Sequence, residues 1–123
     1  MVVGYLSVFL IFFSSSCYGY NVDISLFNSM EEVIGFETSY ILNAFSPEDL
    51  SDAYASRGES FLLSGQLEKA IEDFRKAYDF GTAIDDREEW LSSIFRALFG
   101  QALTYGQLNR VDMVVLITNP LRK

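Results

Sequence analysis

Carboxylates are the side chains of this sequence that could supply catalytic or metal-binding chemistry in quantity. The chain contains 17 Asp and Glu residues, no His, and a single Cys at position 17. The lack of His removes the commonest general base, and a single Cys rules out an intramolecular disulfide and nearly every zinc or iron–sulfur ligand set. Any reactive site would therefore have to be built from carboxylates.

Two groups of carboxylates stand out, and neither has the arrangement of a reactive site. Glu72 and Asp73 are adjacent on a predicted helix, where their side chains diverge by about 100 degrees and cannot easily converge on a substrate. The acidic run at 85–89 lacks the Gly turn and the ligand spacing of a calcium loop, and it is typical of the first turn of a helix. We therefore predict no catalytic residues, no metal site and no cofactor.

The charge balance excludes one large class of partner. The 9 basic residues are outnumbered by 17 acidic ones, which gives a net charge of -8. Nucleic-acid binding needs clustered Lys and Arg, and adjacent basic residues occur here only at 75–76 and 122–123. The acidic surplus is compatible with a binding field for a basic partner or simply with solubility.

The N-terminal segment predicts export. The first 22 residues carry no charged side chain, and an apolar run followed by small polar residues is typical of a signal peptide, here residues 1–19. Cleavage after Gly19 would release a soluble protein, whereas cleavage after Ser16 would leave Cys17 first, in a context that resembles a bacterial lipobox, and make it the lipidation site. Retention as a membrane span is the third outcome. The predicted location is the periplasm, envelope or exterior, with membrane contact through this segment alone.

Helical periodicity fills the chain after a short segment at 20–28. A capping helix is predicted at 29–45, where Ser29 and Glu32 have capping-box spacing. Its predicted inward residues are Val33, Phe36, Tyr40, Ile41 and Phe45.

Three further helices and a short last one follow. Ser46 and Pro47 predict the start of the second helix, Gly65 separates it from the third, and Gly81 ends the third. The fourth begins in the acidic run, and its predicted inward residues are Leu91, Ile94, Phe95, Leu98, Ala102 and Tyr105. The last is predicted at about 107–118. Lys69 with Asp73 and Glu72 with Lys76 are predicted as exposed pairs on the third helix.

Residues 51–84 resemble a tetratricopeptide repeat (TPR). Seven residues stand at the signature spacings of that family, namely Tyr54, Gly58, Phe61, Gly65, Ala70, Phe74 and Ala77. A degenerate second unit is visible at about 90–118, where Gly106-Gln-Leu108 repeats Gly65-Gln-Leu67. The expected fold is all-α, with antiparallel helical hairpins at 46–123 stacked as a short TPR-like α-solenoid. Because two units are fewer than such stacks need, a homodimer, a partner chain or a truncated reading frame is expected to account for the open end.

The resemblance implies a groove that holds a peptide or helix of another protein. Its expected lining is Asp52, Ala55, Ser56, Glu59, Leu62 and Leu63 in the first unit and Ala97, Gln101, Thr104 and Tyr105 in the second. The carboxylate clamp of some family members is not matched, since Ala55 and Glu59 occupy its positions, and Arg57 is expected to expose its charged head. The predicted function is a non-catalytic exported scaffold for envelope or secreted proteins. The alternative is a cytosolic chaperone for secretion substrates.

Overall fold

The computed structural model describes residues 27–109, and four helices account for most of them. They are α1 (Met30–Asn43), α2 (Pro47–Leu63), α3 (Leu67–Gly81) and α4 (Arg87–Gln107). No strand occurs within these residues, so the all-α prediction is confirmed. The predicted signal peptide, Cys17 and all but the first residues of the predicted helix at 107–118 lie outside the described residues and stay predictions. No helix in the described part is both long and apolar enough to cross a bilayer.

Side-chain caps fix where three of the helices begin. The Ser29 hydroxyl accepts from the Glu32 amide (3.3 Å) and the Ser46 hydroxyl accepts from the Asp49 amide (3.1 Å). At α4 the Asp86 carboxylate accepts from the Glu89 amide (3.0 Å). Each cap satisfies an amide that has no partner inside the helix. The predicted starts of these three helices are therefore confirmed.

The apolar core forms where α2, α3 and α4 meet around Phe74. The Phe74 ring is fully buried and packs with Phe61, Leu62 and Ala70. A Cβ placed on Gly58 would lie 3.1 Å from the ring, and one placed on Gly100 would overlap it. Glycine at both positions therefore lets α2 and α4 approach the ring of α3 from two sides, as predicted for Gly58.

The turn between α2 and α3 depends on a left-handed backbone. Gly65 has φ +80, a conformation that glycine adopts without a side-chain clash. The chain reverses there, and α3 packs antiparallel along α2 in the most extensive helix contact of the described part. The second Gly-Gln-Leu sequence ends α4, and Asn109 follows it with φ 60.

Several side chains predicted to face inward are exposed instead. Phe45 is 93% exposed because α1 ends at Asn43, earlier than predicted. Phe36, Leu91 and Phe95 are each close to half exposed. In α1 the buried residues are Val33 and Glu37, and Ile34 packs against the core cluster, so the packed face of the helix excludes Phe36. The inward prediction is therefore wrong for these four residues and confirmed for Val33, Ile94, Leu98 and Tyr105.

Candidate functional site

The N-terminal turns of α2 and α4 meet at a cleft with a volume of about 320 Å³. We call it the acidic cleft; its lining residues are Glu48, Asp52, Asp86, Glu88, Glu89, Ser92 and Ser93. Five of these seven carry carboxylates and none is basic. Glu48 and Asp52 come from α2, and the other five come from the cap and the first two turns of α4.

Local helix chemistry explains why carboxylates gather here. The first turn of a helix has partly positive amide groups, so acidic residues are favoured there. Asp86 caps α4, with Glu88 and Glu89 in its first turn, and Glu48 is in the first turn of α2. Each carboxylate stabilises its own helix. Because the two helix ends lie together, the same residues also concentrate negative charge in one opening.

A buried arginine joins the two helices beneath the acidic cleft. Arg96 of α4 is 4% exposed, and its guanidinium binds Glu59 with two bonds, from Nε to Oε1 (2.8 Å) and from Nη2 to Oε2 (3.1 Å). Nη2 also donates to the Ser56 hydroxyl (2.9 Å). The distance from Nη1 to Asp52 Oδ1 is 3.7 Å, an ion pair longer than a hydrogen bond. Arg96 therefore satisfies Glu59 and leaves Asp52 incompletely paired.

Burial changes the titration of the carboxyl groups in this region. It raises the pKa of Asp52 to about 6, although Arg96 acts in the opposite direction, and Asp49 and Glu89 add to the increase. Burial also raises the pKa of Glu59 against the lowering effect of Arg96. The charge of the acidic cleft is thus sensitive to pH near 6 through Asp52.

Glu37 is a third buried carboxyl, on the α1 side of α2. It is 3% exposed and accepts a hydrogen bond from the Ser60 hydroxyl (2.7 Å). Burial raises the pKa of Glu37 to about 8, with a further increase from Glu59 and opposing effects from Ser60, Arg96 and Arg57. Glu37 is therefore mainly protonated at neutral pH.

A second ion pair lies away from the acidic cleft. Arg57 binds the Asp73 carboxylate through Nε (2.7 Å) and Nη2 (2.8 Å), and its Nη1 donates to Thr38 (3.2 Å). The expectation that Arg57 exposes its head is wrong, because Asp73 is buried at 2% exposure and pairs with the guanidinium across the hairpin. The same pairing makes the predicted exposed pair of Lys69 with Asp73 wrong. The pair of Glu72 with Lys76 is confirmed at 3.3 Å.

Most of the expected groove residues lie inside the helix packing. The buried ones are Ala55, Glu59, Leu62, Ala97, Gln101, Thr104 and Tyr105. Ala55 and Ala97 pack directly with Ala77, and the Tyr105 hydroxyl accepts a hydrogen bond from Arg75. Leu63 is partly exposed and packs against the core. Of the expected set, the structure places Asp52 in the acidic cleft and Ser56 in the polar network beneath it.

The comparison with known proteins found no relative of this chain. No family model, curated protein or solved structure matches the chain. Within the described residues no group of three His, Cys, Asp or Glu side chains converges closely enough to hold a metal ion. The features of the acidic cleft that bear on function are therefore its shape and its charge.

Sequence reasoning missed Arg96, Glu48, Ser92 and Ser93 as parts of the site, and it also missed the buried carboxyl group of Glu37 on the α1 side of α2. A usable signal existed for Arg96, which is the one basic residue between positions 88 and 107. Asp52, Ser56 and Glu59 follow one another at three- and four-residue steps, which places them on one face of α2. A face with two carboxylates that packs against another helix requires a cation, and Arg96 supplies it.

Proposed function

We propose that this protein is a non-catalytic protein-binding module of the TPR type, which holds a basic segment of an envelope or secreted protein in the acidic cleft. The observation that carries the proposal is the cleft itself, with five carboxylates and no basic residue in its described lining. A cationic segment would neutralise charges that repel one another in the unbound protein. Such complementarity favours fast association and selection against acidic partners.

The arrangement of the helices supports the TPR part of the proposal. The α2–α3 hairpin carries the signature residues, and α4 contacts both of its helices. In a stack of TPR hairpins the first helix of the next unit takes that place, and ligands bind along the face shared by successive first helices. The acidic cleft lies between α2 and α4, which are the helices that the resemblance assigns to that face.

Binding of basic segments can be tested with two labelled peptides. Fluorescence anisotropy would compare a fluorescein-labelled peptide of alternating Lys and Ser with one of alternating Glu and Ser, using the full chain. We expect the Lys peptide alone to bind and its affinity to fall as salt is raised, because exposed charges are screened. Equal binding of both peptides, or no binding of the Lys peptide, would contradict the proposal.

Charge reversal localises the binding to the acidic cleft. The double variant Glu48→Lys/Glu88→Lys should weaken binding of the Lys peptide by at least about tenfold, since two attractive charges become repulsive. The matched control is Glu68→Lys/Asp79→Lys, which changes the net charge equally at exposed positions on α3 outside the cleft lining. If the two variants weaken binding to the same extent, net charge alone accounts for the binding and the cleft is not the site.

The place of action has a separate test. The full chain would be expressed in a bacterial host, and the intact mass of the product would be measured in soluble and membrane fractions. A soluble product that begins at Tyr20, or a membrane product acylated on Cys17, supports the exported module. An intact product recovered from the cytosol supports the alternative, a chaperone for secretion substrates.

A further inference from the structure

Ser93 differs from the other residues that line the acidic cleft. It is 8% exposed, whereas the neighbouring Ser92, which also lines the cleft, is exposed. Within the described part of the chain the Ser93 hydroxyl has no hydrogen-bond partner, although the other buried Ser and Thr hydroxyls, Ser51, Ser60 and Thr104, each donate a hydrogen bond. A buried hydroxyl without a partner costs free energy unless a ligand or water satisfies it.

Ser93 and Asp52 line the acidic cleft from α4 and α2 respectively. A Cβ on Gly81 would lie 3.5 Å from Ser93 Cβ and 3.3 Å from the hydroxyl of Ser51, the residue before Asp52, so Ser93 lies near the second turn of α2. We call the part of the cleft between Ser93 and Asp52 its inner end. The Asp52 side chain is 16% exposed, and the described residues give it an ion pair at 3.7 Å but no hydrogen bond.

We infer that the inner end of the acidic cleft binds the ammonium group of a lysine side chain, with the Ser93 hydroxyl and the Asp52 carboxylate as its acceptors. This inference rests on the proposed function and names the group that anchors the bound segment. The ammonium supplies hydrogen bonds to two acceptors that have none within the described residues. Its charge also compensates for the burial of Asp52, which Arg96 offsets only in part.

The choice of lysine over arginine follows from how the acceptors are arranged. A guanidinium is a planar fork that is best matched by the two oxygens of one carboxylate, as Glu59 provides for Arg96. Ser93 and Asp52 offer acceptors on two different helices. An ammonium is a compact charge whose three donors rotate to separate acceptors, so it suits this geometry better.

The test uses three capped tripeptides with Gly on each side of a central Lys, Arg or norleucine. Titration of the full chain would be followed by NMR through the backbone amides of α2 and α4. We expect the Lys peptide to shift resonances at Asp52 and Ser93, the Arg peptide to bind several-fold more weakly, and the norleucine peptide not to bind. Equal binding of the norleucine peptide would overturn the inference, because it lacks the charged group.

A serine outside the acidic cleft provides the matched variant. Ser93→Ala should weaken binding of the Lys peptide by about tenfold, the effect of one hydrogen bond to a charged group, while Ser39→Ala, at an exposed position on α1 outside the cleft lining, should change it less than about twofold. Circular dichroism would check that both variants fold. Equal effects of the two variants would overturn the lysine site. If the alternating Lys and Ser peptide still binds with sensitivity to Glu48→Lys/Glu88→Lys, the proposed function survives that result; if that peptide does not bind at all, the proposed function fails as well.

A metal ion bound at the inner end of the acidic cleft would be distinguished by a separate titration. Calcium chloride would be titrated alone under the same conditions, and we expect no saturable shifts at Asp52 or Ser93. Saturable binding of Ca²⁺ that Ser93→Ala abolishes would assign the inner end to a metal ion and overturn the lysine site.

Discussion

α1 and α3 both pack against α2, but the chemistry of the two contacts differs. The α3 contact is built around the fully buried Phe74 and small residues such as Ala70, and its buried carboxylate, Asp73, accepts two hydrogen bonds from the Arg57 guanidinium. The α1 contact contains Val33, but it also buries the carboxyl group of Glu37 at 3% exposure, and the hydrogen-bond donor to that group is the uncharged Ser60 hydroxyl. A buried carboxyl group that no cation binds directly makes a contact depend on proton binding. The comparison indicates that α2 and α3 form the stable centre and that α1 is attached to it conditionally.

The position of Phe74 makes it the largest single contributor to the α3 contact. Phe74→Ala should lower the free energy of unfolding by about 3–5 kcal/mol, because it removes a fully buried ring and leaves a cavity between three helices. Chemical denaturation followed by circular dichroism measures the change. The matched control is Phe95→Ala, which removes a ring that is 47% exposed and should cost less than about 1 kcal/mol. Similar losses in both variants would show that the centre lies elsewhere.

The elements of the stable centre were predictable because their signals are local. Ser46 and Pro47 set the start of α2 through a cap and a fixed φ, and Gly65 sets the turn through its left-handed backbone. Gly58 was predicted to allow a close approach, and the ring of Phe74 fills that space. In each case one or two residues determine the backbone without reference to the rest of the fold.

The orientation of α1 and the pairing within the polar network could not be predicted from local sequence signals. Apolar residues lie on more than one face of α1, among them Val33 and Phe36, so the sequence leaves its inward face ambiguous. The face that turns inward includes Glu37, which is hydrogen-bonded to Ser60, 23 positions away. Arg96 and Glu59 are 37 positions apart. Such pairings depend on tertiary geometry, and local periodicity carries no information about them.

The charge pattern of the sequence also led to a wrong prediction of which acidic residues on α3 are exposed. Glu72 and Asp73 are neighbours with similar side chains, but Glu72 is exposed while Asp73 is buried against Arg57. Both fit the solvated face of an amphipathic helix when only α3 is considered. The difference arises because a guanidinium on α2 reaches one of them and not the other, which is visible only once the hairpin is formed.

The α1 contact should become less dependent on pH when Glu37 can no longer ionise. In the folded protein the pKa of Glu37 is about 8, against an ordinary value of 4.5. Below pH 4.5 the Glu37 carboxyl group is protonated in both the folded and the unfolded chain, so it does not change the free energy of unfolding. As the pH rises towards 8, the unfolded chain releases the proton and the folded chain retains it, so stability falls; above 8 the loss is complete. Glu37→Gln removes this linkage and keeps an acceptor for Ser60.

We therefore expect Glu37→Gln to match the wild type near pH 4 and to exceed its free energy of unfolding by about 2 kcal/mol or more near pH 8. Urea denaturation at a series of pH values measures the difference, and taking it between variants cancels the contribution of other groups such as Asp52. Glu31→Gln on the same helix is the control, because Glu31 is exposed and should give a constant offset.

A constant offset for Glu37→Gln as well would mean that ionised Glu37 is accommodated in the contact, most directly by Arg96 or Arg57, whose charges act on it in the folded protein. In that case the α1 contact would not depend on pH through Glu37, and the two contacts of α2 would differ in composition without a difference in their pH dependence.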